Sequence, residues 1–128
     1  MTGHKKLLIV DDNKDILSTF YEFFNSQGYE VKTAEDGLAA LKLLKRKSSH
    51  FDCLITDLVM PNISGVGLIS IVKKDFPDLR VIAMTGYGDH PGALASEAKA
   101  DFVFFKPVEL SKIEDKICEL INQPKIKH

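Results

Sequence analysis

The chain has 128 residues, of which 45% are hydrophobic and 27% charged, and its formal net charge at pH 7 is -1. These values predict one globular domain with a single core that needs no disulfide or structural metal, and they exclude a disordered chain. The small net charge gives no electrostatic case for binding nucleic acid or an anionic membrane surface. The polar start of the chain and the absence of a long apolar run lead us to expect a cytoplasmic protein.

The two cysteines and four histidines do not form a metal-binding pattern, because neither their spacing nor their surroundings match one. Cys53 lies in an apolar segment and Cys118 in an amphipathic one. Both are therefore predicted to be packed free thiols in a reducing compartment.

Strand and helix patterns alternate along the chain. A first strand is predicted at residues 7–10, and Asn13 or Asp12 caps the helix that follows it. Residues 29–33 alternate apolar and polar side chains, as an edge strand with one exposed face does. The second helix carries its apolar stripe at Leu38, Leu41 and Leu44.

The second half of the chain continues the alternation. Residues 53–56 form a third, apolar strand, and a third helix follows it. The fourth strand, 79–84, is an almost unbroken apolar run, typical of a strand covered on both faces at the sheet centre. Glycine and proline within 86–100 predict a short, mobile helix. Residues 102–105 form the fifth strand, and a final amphipathic helix ends before a tail, 123–128, that we expect to be disordered.

Alternating strands and helices predict a parallel sheet between two layers of helices. Five such units with right-handed crossovers favour an α/β fold with an open, doubly wound sheet of strand order 2-1-3-4-5. We expect one domain over 1–128 with its core at about 5–122. In such a sheet a site forms beyond the carboxyl ends of the strands, at the point between strands one and three.

Four strands bring polar residues to that edge of the predicted sheet, namely Asp11, Asp12, Asp57, Thr85 and Lys106. Carboxylates within about 5 Å of one another would repel by roughly 3 kcal/mol per pair at a surface-like dielectric. Such a cluster favours Mg²⁺ or Mn²⁺ over Zn²⁺. With a cation bound, Asp57 becomes usable as a nucleophile toward a phosphoryl group, and Thr85 and Lys106 can stabilise the phosphoryl oxygens.

Each of these residues taken alone has an ordinary explanation. Asp11 and Asp12 could be a helix cap with a first-turn acid, Asp57 a turn residue, Thr85 a cap and Lys106 a solvated charge. Their coincidence at one edge of one sheet is what favours a phosphoacceptor site.

Four separated motifs now resemble the receiver domain of two-component response regulators: Asp11-Asp12, the run from Asp57 to Pro61, the run from Met84 to Asp89, and Lys106-Pro107. The resemblance covers about residues 5–122. It implies a flavodoxin-like, doubly wound (βα)5 three-layer sandwich. It also implies the site roles: Asp57 as the phosphorylated aspartate, Thr85 and Lys106 as ligands of the phosphoryl group, and Asp11, Asp12, Asp57 and the backbone carbonyl of Val59 as ligands of Mg²⁺ or Mn²⁺.

The same resemblance implies the partners of the domain. The phosphoryl donor would be a histidine kinase or a His-containing phosphotransfer protein, and an unknown downstream protein would respond. The domain would be a monomer or a phosphorylation-dependent dimer, with no nucleic acid or membrane partner and no enzymatic role beyond its own phosphorylation and dephosphorylation. The Lys106–Pro107 peptide bond is expected to be cis.

One position departs from the family pattern. Receiver domains usually carry Tyr or Phe three residues before the lysine, where this chain has Val103. Phe102 and Phe104 flank it but are predicted to point to the opposite face of the strand. As a hypothesis, signalling would instead run through residues 86–100.

Other functions fit these residues less well. A flavin-binding carrier needs a hydroxyl- and glycine-rich loop after its first strand, where this chain has acids that would repel a phosphate. An aspartate-nucleophile phosphohydrolase has a second acid at the position of Val59, and a receiver-like module without phosphorylation would have lost an acid or the lysine. Two contexts remain. A stand-alone regulator is favoured because the chain stops soon after its last helix, and the alternative is the receiver half of a longer transcription factor or enzyme.

Overall fold

Five β-strands and four α-helices occupy the part of the chain that the computed structural model describes, residues 5–46, 50–60, 63–86 and 99–122. The strands are β1 (Lys6–Val10), β2 (Glu30–Ala34), β3 (Cys53–Asp57), β4 (Arg80–Thr85) and β5 (Phe102–Phe105). The helices are α1 (Lys14–Ser26), α2 (Gly37–Leu44), α3 (Gly65–Asp75) and α4 (Leu110–Asn122). None of these described helices is long and apolar enough to cross a membrane. The helix predicted within 86–100 falls mainly on 87–98, and this prediction and that of a disordered tail lie outside the described residues.

All five strands run parallel in one sheet with the order β2-β1-β3-β4-β5, which confirms the predicted topology. The middle strand is β3, and all five of its residues are buried. β4 was predicted at the sheet centre and lies one place from it, between β3 and β5. The edge strand β2 exposes Glu30 and Lys32 and buries Val31, as its alternating pattern predicted, whereas the exposed Thr33 and the buried Ala34 depart from that alternation.

Each face of the sheet has its own apolar cluster, because alternate strand residues point to opposite faces. Leu8 and Val10 of β1 pack on the side covered by α2 and α3. Leu7 and Ile9 pack on the side covered by α1 and α4. The three layers match the predicted sandwich. Leu38 is a correction, since α2 buries Leu41 and Leu44 of the predicted apolar stripe and leaves Leu38 exposed.

The two thiols differ in exposure. Cys53 is buried as predicted, and burial raises the pKa of its thiol. Cys118 was predicted to be packed but is exposed, with Sγ 3.4 Å from the Tyr29 hydroxyl oxygen. Burial, together with the Cys118 hydrogen bond, raises the pKa of Tyr29.

Three helices begin at side chains that accept hydrogen bonds from their first turns. Asn13 Oδ1 accepts from the backbone N–H groups of Asp15 and Ile16, so the predicted cap of α1 is confirmed. Asp36 caps α2 and Ser64 caps α3 in the same way. These caps fix the points at which the chain turns from each strand end into the next helix.

The residues of β5 divide between the two faces of the sheet as predicted. Val103 packs on the side of α2 and α3, and Phe104 packs on the side of α1 and α4. Phe102 contacts Phe104 edge to face with ring centroids 4.9 Å apart, and Lys116 Nζ lies 4.1 Å from the Phe102 ring centroid. Phe102 and Phe104 therefore lie on the face opposite Val103, while Phe105, two residues after Val103, is 58% exposed and belongs to neither apolar cluster.

Both ends of β5 are tied to β4. At its start, the Asp101 N–H donates to the Val81 carbonyl, while Asp101 Oδ2 accepts from the Val81 N–H at 2.7 Å and from Lys73 Nζ at 2.9 Å. At its end, the Lys106 N–H donates to the Thr85 carbonyl at 2.7 Å. Since β5 has only four residues, these bonds fix the point at which Lys106 leaves the sheet.

We expect Asp101→Ala to lower the free energy of unfolding by about 1–3 kcal/mol, because the Val81 N–H loses its side-chain acceptor. Asp101→Asn keeps an acceptor oxygen and loses only the ion pair with Lys73, so its cost should stay below about 1 kcal/mol. Urea denaturation of the parent and both variants measures the two effects. Equal losses would mean that the ion pair, and not the backbone hydrogen bond, holds the start of β5.

Candidate phosphoacceptor and metal site

The carboxyl ends of β1 and β3 bring three aspartates together. Asp11 follows β1 and is buried, Asp57 ends β3 and is 7% exposed, and Asp12 is exposed. One oxygen from each carboxylate lies within 4.8 Å of the other two. Because β1 and β3 are neighbours in the sheet, the strand order itself produces this cluster.

Lys106 joins two of these carboxylates. Its Nζ lies 3.1 Å from Asp11 Oδ2 and 3.2 Å from Asp57 Oδ2. The other oxygen of each carboxylate accepts from the backbone N–H two residues further along the chain. Asn13 N–H donates to Asp11 Oδ1 at 2.9 Å, and Val59 N–H donates to Asp57 Oδ1 at 3.3 Å. One ammonium and one backbone amide therefore orient each carboxylate.

For both Asp11 and Lys106, burial and neighbouring charges shift the pKa in opposite directions. Loss of water contact raises the pKa of Asp11 above its usual value, and the Asn13 N–H and the Lys106 ammonium only partly offset this. Burial alone would lower the pKa of Lys106, but hydrogen bonds and charges of Asp11 and Asp57 outweigh it and raise that pKa. Lys106 is thus charged at neutral pH, while the ionised form of Asp11 depends on nearby positive charge.

The remaining residues selected from the sequence lie at the same edge. Thr85 ends β4 and is buried, one position beyond the residue paired with Asp57. Val59 exposes 64% of its surface and directs its N–H to Asp57. The Lys106–Pro107 bond is cis, as expected. The structure thus places at one edge the whole set chosen from the sequence: Asp11, Asp12, Asp57, Val59, Thr85 and Lys106.

Two residues that were not among the predicted site residues hold the backbone after Asp57. Thr56 Oγ1 donates to the Asp57 carbonyl at 2.9 Å, and the Gly65 N–H donates to the Leu58 carbonyl at 3.0 Å. A Cβ at Gly65 would overlap the Asp57 carbonyl oxygen and lie 2.5 Å from Leu58 Cα. The signals available in the sequence were a hydroxyl within an apolar strand and a glycine directly after a capping serine.

Asn13 also does more than the sequence analysis foresaw. Its side chain caps α1 while its own N–H orients Asp11. The start of α1 and the most buried acid of the cluster are thereby held by one residue. An asparagine directly after two acids was the available signal, but the direction of its N–H depends on the backbone conformation.

The donor set fits a hard divalent cation. The three carboxylates and the Lys106 ammonium carry a formal charge of -3 + 1 = -2, which one divalent ion balances. Among the described residues, the side chains close enough to bind one metal ion together are these three aspartates, with no histidine or cysteine. Sets of oxygen donors that leave positions for water suit Mg²⁺ or Mn²⁺, whereas Zn²⁺ favours His and Cys.

Comparison with known proteins identifies the family. The family model described as the response regulator receiver domain matches residues 7–118. Transcriptional regulatory protein GlrR of Escherichia coli K12 is 34% identical over 118 residues, which cover 91% of this chain and 26% of GlrR. Sporulation initiation phosphotransferase F of Bacillus subtilis is 30% identical over 115 residues, which cover 89% of this chain and 91% of that protein.

Solved structures agree with the sequence match. The response regulator protein TrrA from Thermotoga maritima, in complex with Mg²⁺-BeF, is 34% identical and superposes with a TM-score of 0.79. The match covers 91% of this chain and 98% of TrrA. The chain belongs to the response regulator receiver domain family of two-component signalling, and the resemblance and the flavodoxin-like fold that it implied are confirmed. The match spans about a quarter of GlrR, so receiver domains occur within longer relatives as well as in proteins of receiver length.

Gly65→Ala should lower the free energy of unfolding by about 1–3 kcal/mol, because the added methyl group separates α3 from the end of β3. Gly67→Ala, in the same helical turn, is the matched control. Among the described residues, a Cβ there meets Ile63 Cγ2 at 3.4 Å and Ser64 Oγ at 3.6 Å, both ordinary contacts. Its stability should be unchanged or higher by up to about 1 kcal/mol. Chemical denaturation distinguishes the two, and equal stabilities would contradict a close approach at Gly65.

Proposed function

We propose that this receiver domain accepts a phosphoryl group on Asp57 with the help of Mg²⁺ or Mn²⁺. The observation that carries the proposal is the Lys106 ammonium between Asp11 and Asp57, with Asp12 completing the carboxylate cluster. A partly buried cation beside several acids at one sheet edge is an arrangement that can receive an anionic group. The Mg²⁺-BeF complex of TrrA supports the same combination of metal and phosphoryl mimic for this chain.

The proposed donor is a phosphohistidine on a histidine kinase or a His-containing phosphotransfer protein. The phosphorus–nitrogen bond of the donor breaks, and an Oδ atom of Asp57 forms a new bond to phosphorus. The histidine nitrogen keeps the electron pair and takes up a proton. The product is an acyl phosphate on Asp57.

The residues of the chain have separate roles in this proposal. The Val59 N–H and Lys106 Nζ hold the two oxygens of Asp57, so Lys106 is within reach of a phosphoryl oxygen attached there. Thr85 is proposed to donate its hydroxyl to another phosphoryl oxygen. Mg²⁺ held by Asp11, Asp12, Asp57 and the Val59 carbonyl would supply the charge that lets two anions meet. The chemistry asked of the protein is positioning, and we propose no catalytic output beyond its own phosphorylation and dephosphorylation.

An apolar cleft beside Lys106 offers a surface to the phosphodonor protein. Its volume is about 550 Å³, and it opens between α1 and the segment that follows β5. Its apolar lining is formed by Ile16, Phe20, Met84, Pro107 and Val108. Apolar surface next to a charged group is typical of a site where a protein partner is bound.

Two relatives illustrate the contexts in which this chemistry operates. GlrR is a longer transcriptional regulatory protein, and phosphotransferase F has the length of a receiver domain. We propose that residues 1–128 form one cytoplasmic domain. It is either a monomer or a dimer that forms on phosphorylation, and its phosphorylation changes its affinity for a downstream protein. A stand-alone regulator is our first proposal, and the receiver part of a longer regulator is the second.

Incubation with acetyl phosphate and Mg²⁺ should add one phosphoryl mass to the parent protein and none to Asp57→Ala. Asp52→Ala is the control, because Asp52 directly precedes β3, at the end of the strand opposite Asp57, and accepts from the Lys6 N–H. It should be labelled at the parental level. Intact-protein mass spectrometry, with circular dichroism to check folding, gives the answer. Labelling of Asp57→Ala, or its loss in a folded Asp52→Ala, would identify another acceptor.

Mg²⁺ at a hundred times its Kd should raise the free energy of unfolding by about 2.7 kcal/mol, because only the folded cluster binds it. Asp12→Ala should lose most of this increase, and since Asp12 is exposed, its removal should leave the fold intact. Asp15→Ala removes another exposed acid, in the first turn of α1, and should keep the full response. Denaturation with and without Mg²⁺ tests this. An equal response of the two variants would argue against the cluster as the metal site.

A further inference from the structure

We propose that Thr56 is a positioning residue for phosphorylation, whose hydroxyl fixes the Asp57 carbonyl and with it the backbone that carries the site. The inference rests on the proposed function and adds a residue to it. Thr56 does not contact the acid cluster itself. It acts through the peptide group that follows Asp57.

The surroundings of Thr56 call for an apolar side chain. Thr56 is fully buried, and its register partners are Val10 of β1 and Ala83 of β4, both members of the apolar cluster shared with α2 and α3. A hydroxyl in such a place loses its contact with water and is unfavourable unless it finds a partner. Its partner is the Asp57 carbonyl, 2.9 Å from Thr56 Oγ1. Within the described residues the hydroxyl thus makes one hydrogen bond, and its acceptor belongs to the proposed phosphoacceptor residue.

Four backbone polar groups between Asp57 and Val59 make hydrogen bonds: the Asp57 carbonyl, the Leu58 N–H and carbonyl, and the Val59 N–H. Leu58 N–H donates to the Met84 carbonyl at 2.9 Å, and the Leu58 carbonyl accepts from the Gly65 N–H at 3.0 Å. Val59 N–H donates to Asp57 Oδ1 at 3.3 Å. In this set Thr56 supplies the hydroxyl that holds the Asp57 carbonyl.

The Asp57 carbonyl is also confined on its other side. Gly65 approaches it so closely that a Cβ would overlap the oxygen. The oxygen therefore lies between the Thr56 hydroxyl and the backbone of α3. The missing side chain of Gly65 leaves space for the Asp57 carbonyl oxygen, and the hydrogen bond from Thr56 Oγ1 sets the direction in which that carbonyl points.

A tilt of the peptide group between Asp57 and Leu58 about its other hydrogen bond, from the Leu58 N–H to the Met84 carbonyl, would change the site in two ways. It would move the Val59 N–H away from Asp57 Oδ1, and it would turn the Val59 carbonyl that is proposed as a metal ligand. Without the hydroxyl the Asp57 carbonyl has lost a donor, and the peptide group, still held by the Leu58 N–H, is expected to tilt toward a new one. Catalytic and metal-binding groups need to stay within about 0.5 Å of their productive positions.

The test compares Thr56→Val, which fills the same space without a hydroxyl, with Thr56→Ser, which keeps the hydroxyl. Mg²⁺ affinity is measured by calorimetry, and the phosphorylation rate is measured with acetyl phosphate at saturating Mg²⁺. Thr56→Val should weaken Mg²⁺ binding and slow phosphorylation, each by about 10-fold, the low end for losing a residue that orients a metal ligand. Thr56→Ser should stay within about twofold of the parent on the same scale.

Ile55→Val is the control for a general loss of packing, since Ile55 is a buried neighbour in β3 on the opposite face. It should leave both measurements at the parental level. Thr56→Ala gives a second variant without the hydroxyl should Thr56→Val fail to fold. A hydroxyl-free variant that matches the parent, or a Thr56→Ser variant as impaired as Thr56→Val, overturns the inference alone. A parent that neither binds Mg²⁺ nor gains a phosphate overturns the proposed function, and the inference with it.

Discussion

The site depends on one ammonium group shared by two buried carboxylates. Asp11 and Asp57 come from neighbouring strands, and like charges at about 5 Å repel by roughly 3 kcal/mol at a surface-like dielectric. Lys106 Nζ, 3.1 and 3.2 Å from the two carboxylates, offsets that repulsion. Since removal of one partner from a buried ion pair leaves an uncompensated charge, the three residues are coupled through their charges.

The parallel sheet makes this coupling possible at a distance along the chain. Every strand ends at the same edge, so acids that follow β1 and β3 meet a lysine that follows β5. The helices do not supply the charged groups, but they fix the loops that do. Asn13 starts α1 while orienting Asp11, and Gly65 lets α3 begin directly against the backbone of Asp57.

The sequence was sufficient for the strand order and for the location of the acids, because both follow from alternating patterns and from polar residues at strand ends. It was not sufficient for Thr56 or Gly65, whose roles depend on how closely a helix approaches a strand and which way one carbonyl points. Leu38 shows a related limit. A leucine stripe predicts a helix, but the side of the helix that faces the sheet is decided by tertiary packing.

The proposed chemistry also explains why one internal cation is not enough. If the Lys106 ammonium donates to phosphoryl oxygens, Asp11 loses the ion pair that favours its ionised form, and burial already raises the pKa of this carboxyl. A second source of positive charge is then needed at the same place. The exposed Asp12, within 4.8 Å of the buried acids, extends the cluster toward solvent, where a hydrated divalent ion can enter. Lys106 and the proposed metal would therefore be complementary: Lys106 offsets part of the carboxylate charge in the unphosphorylated domain, and a bound cation would free Lys106 to contact the phosphoryl group.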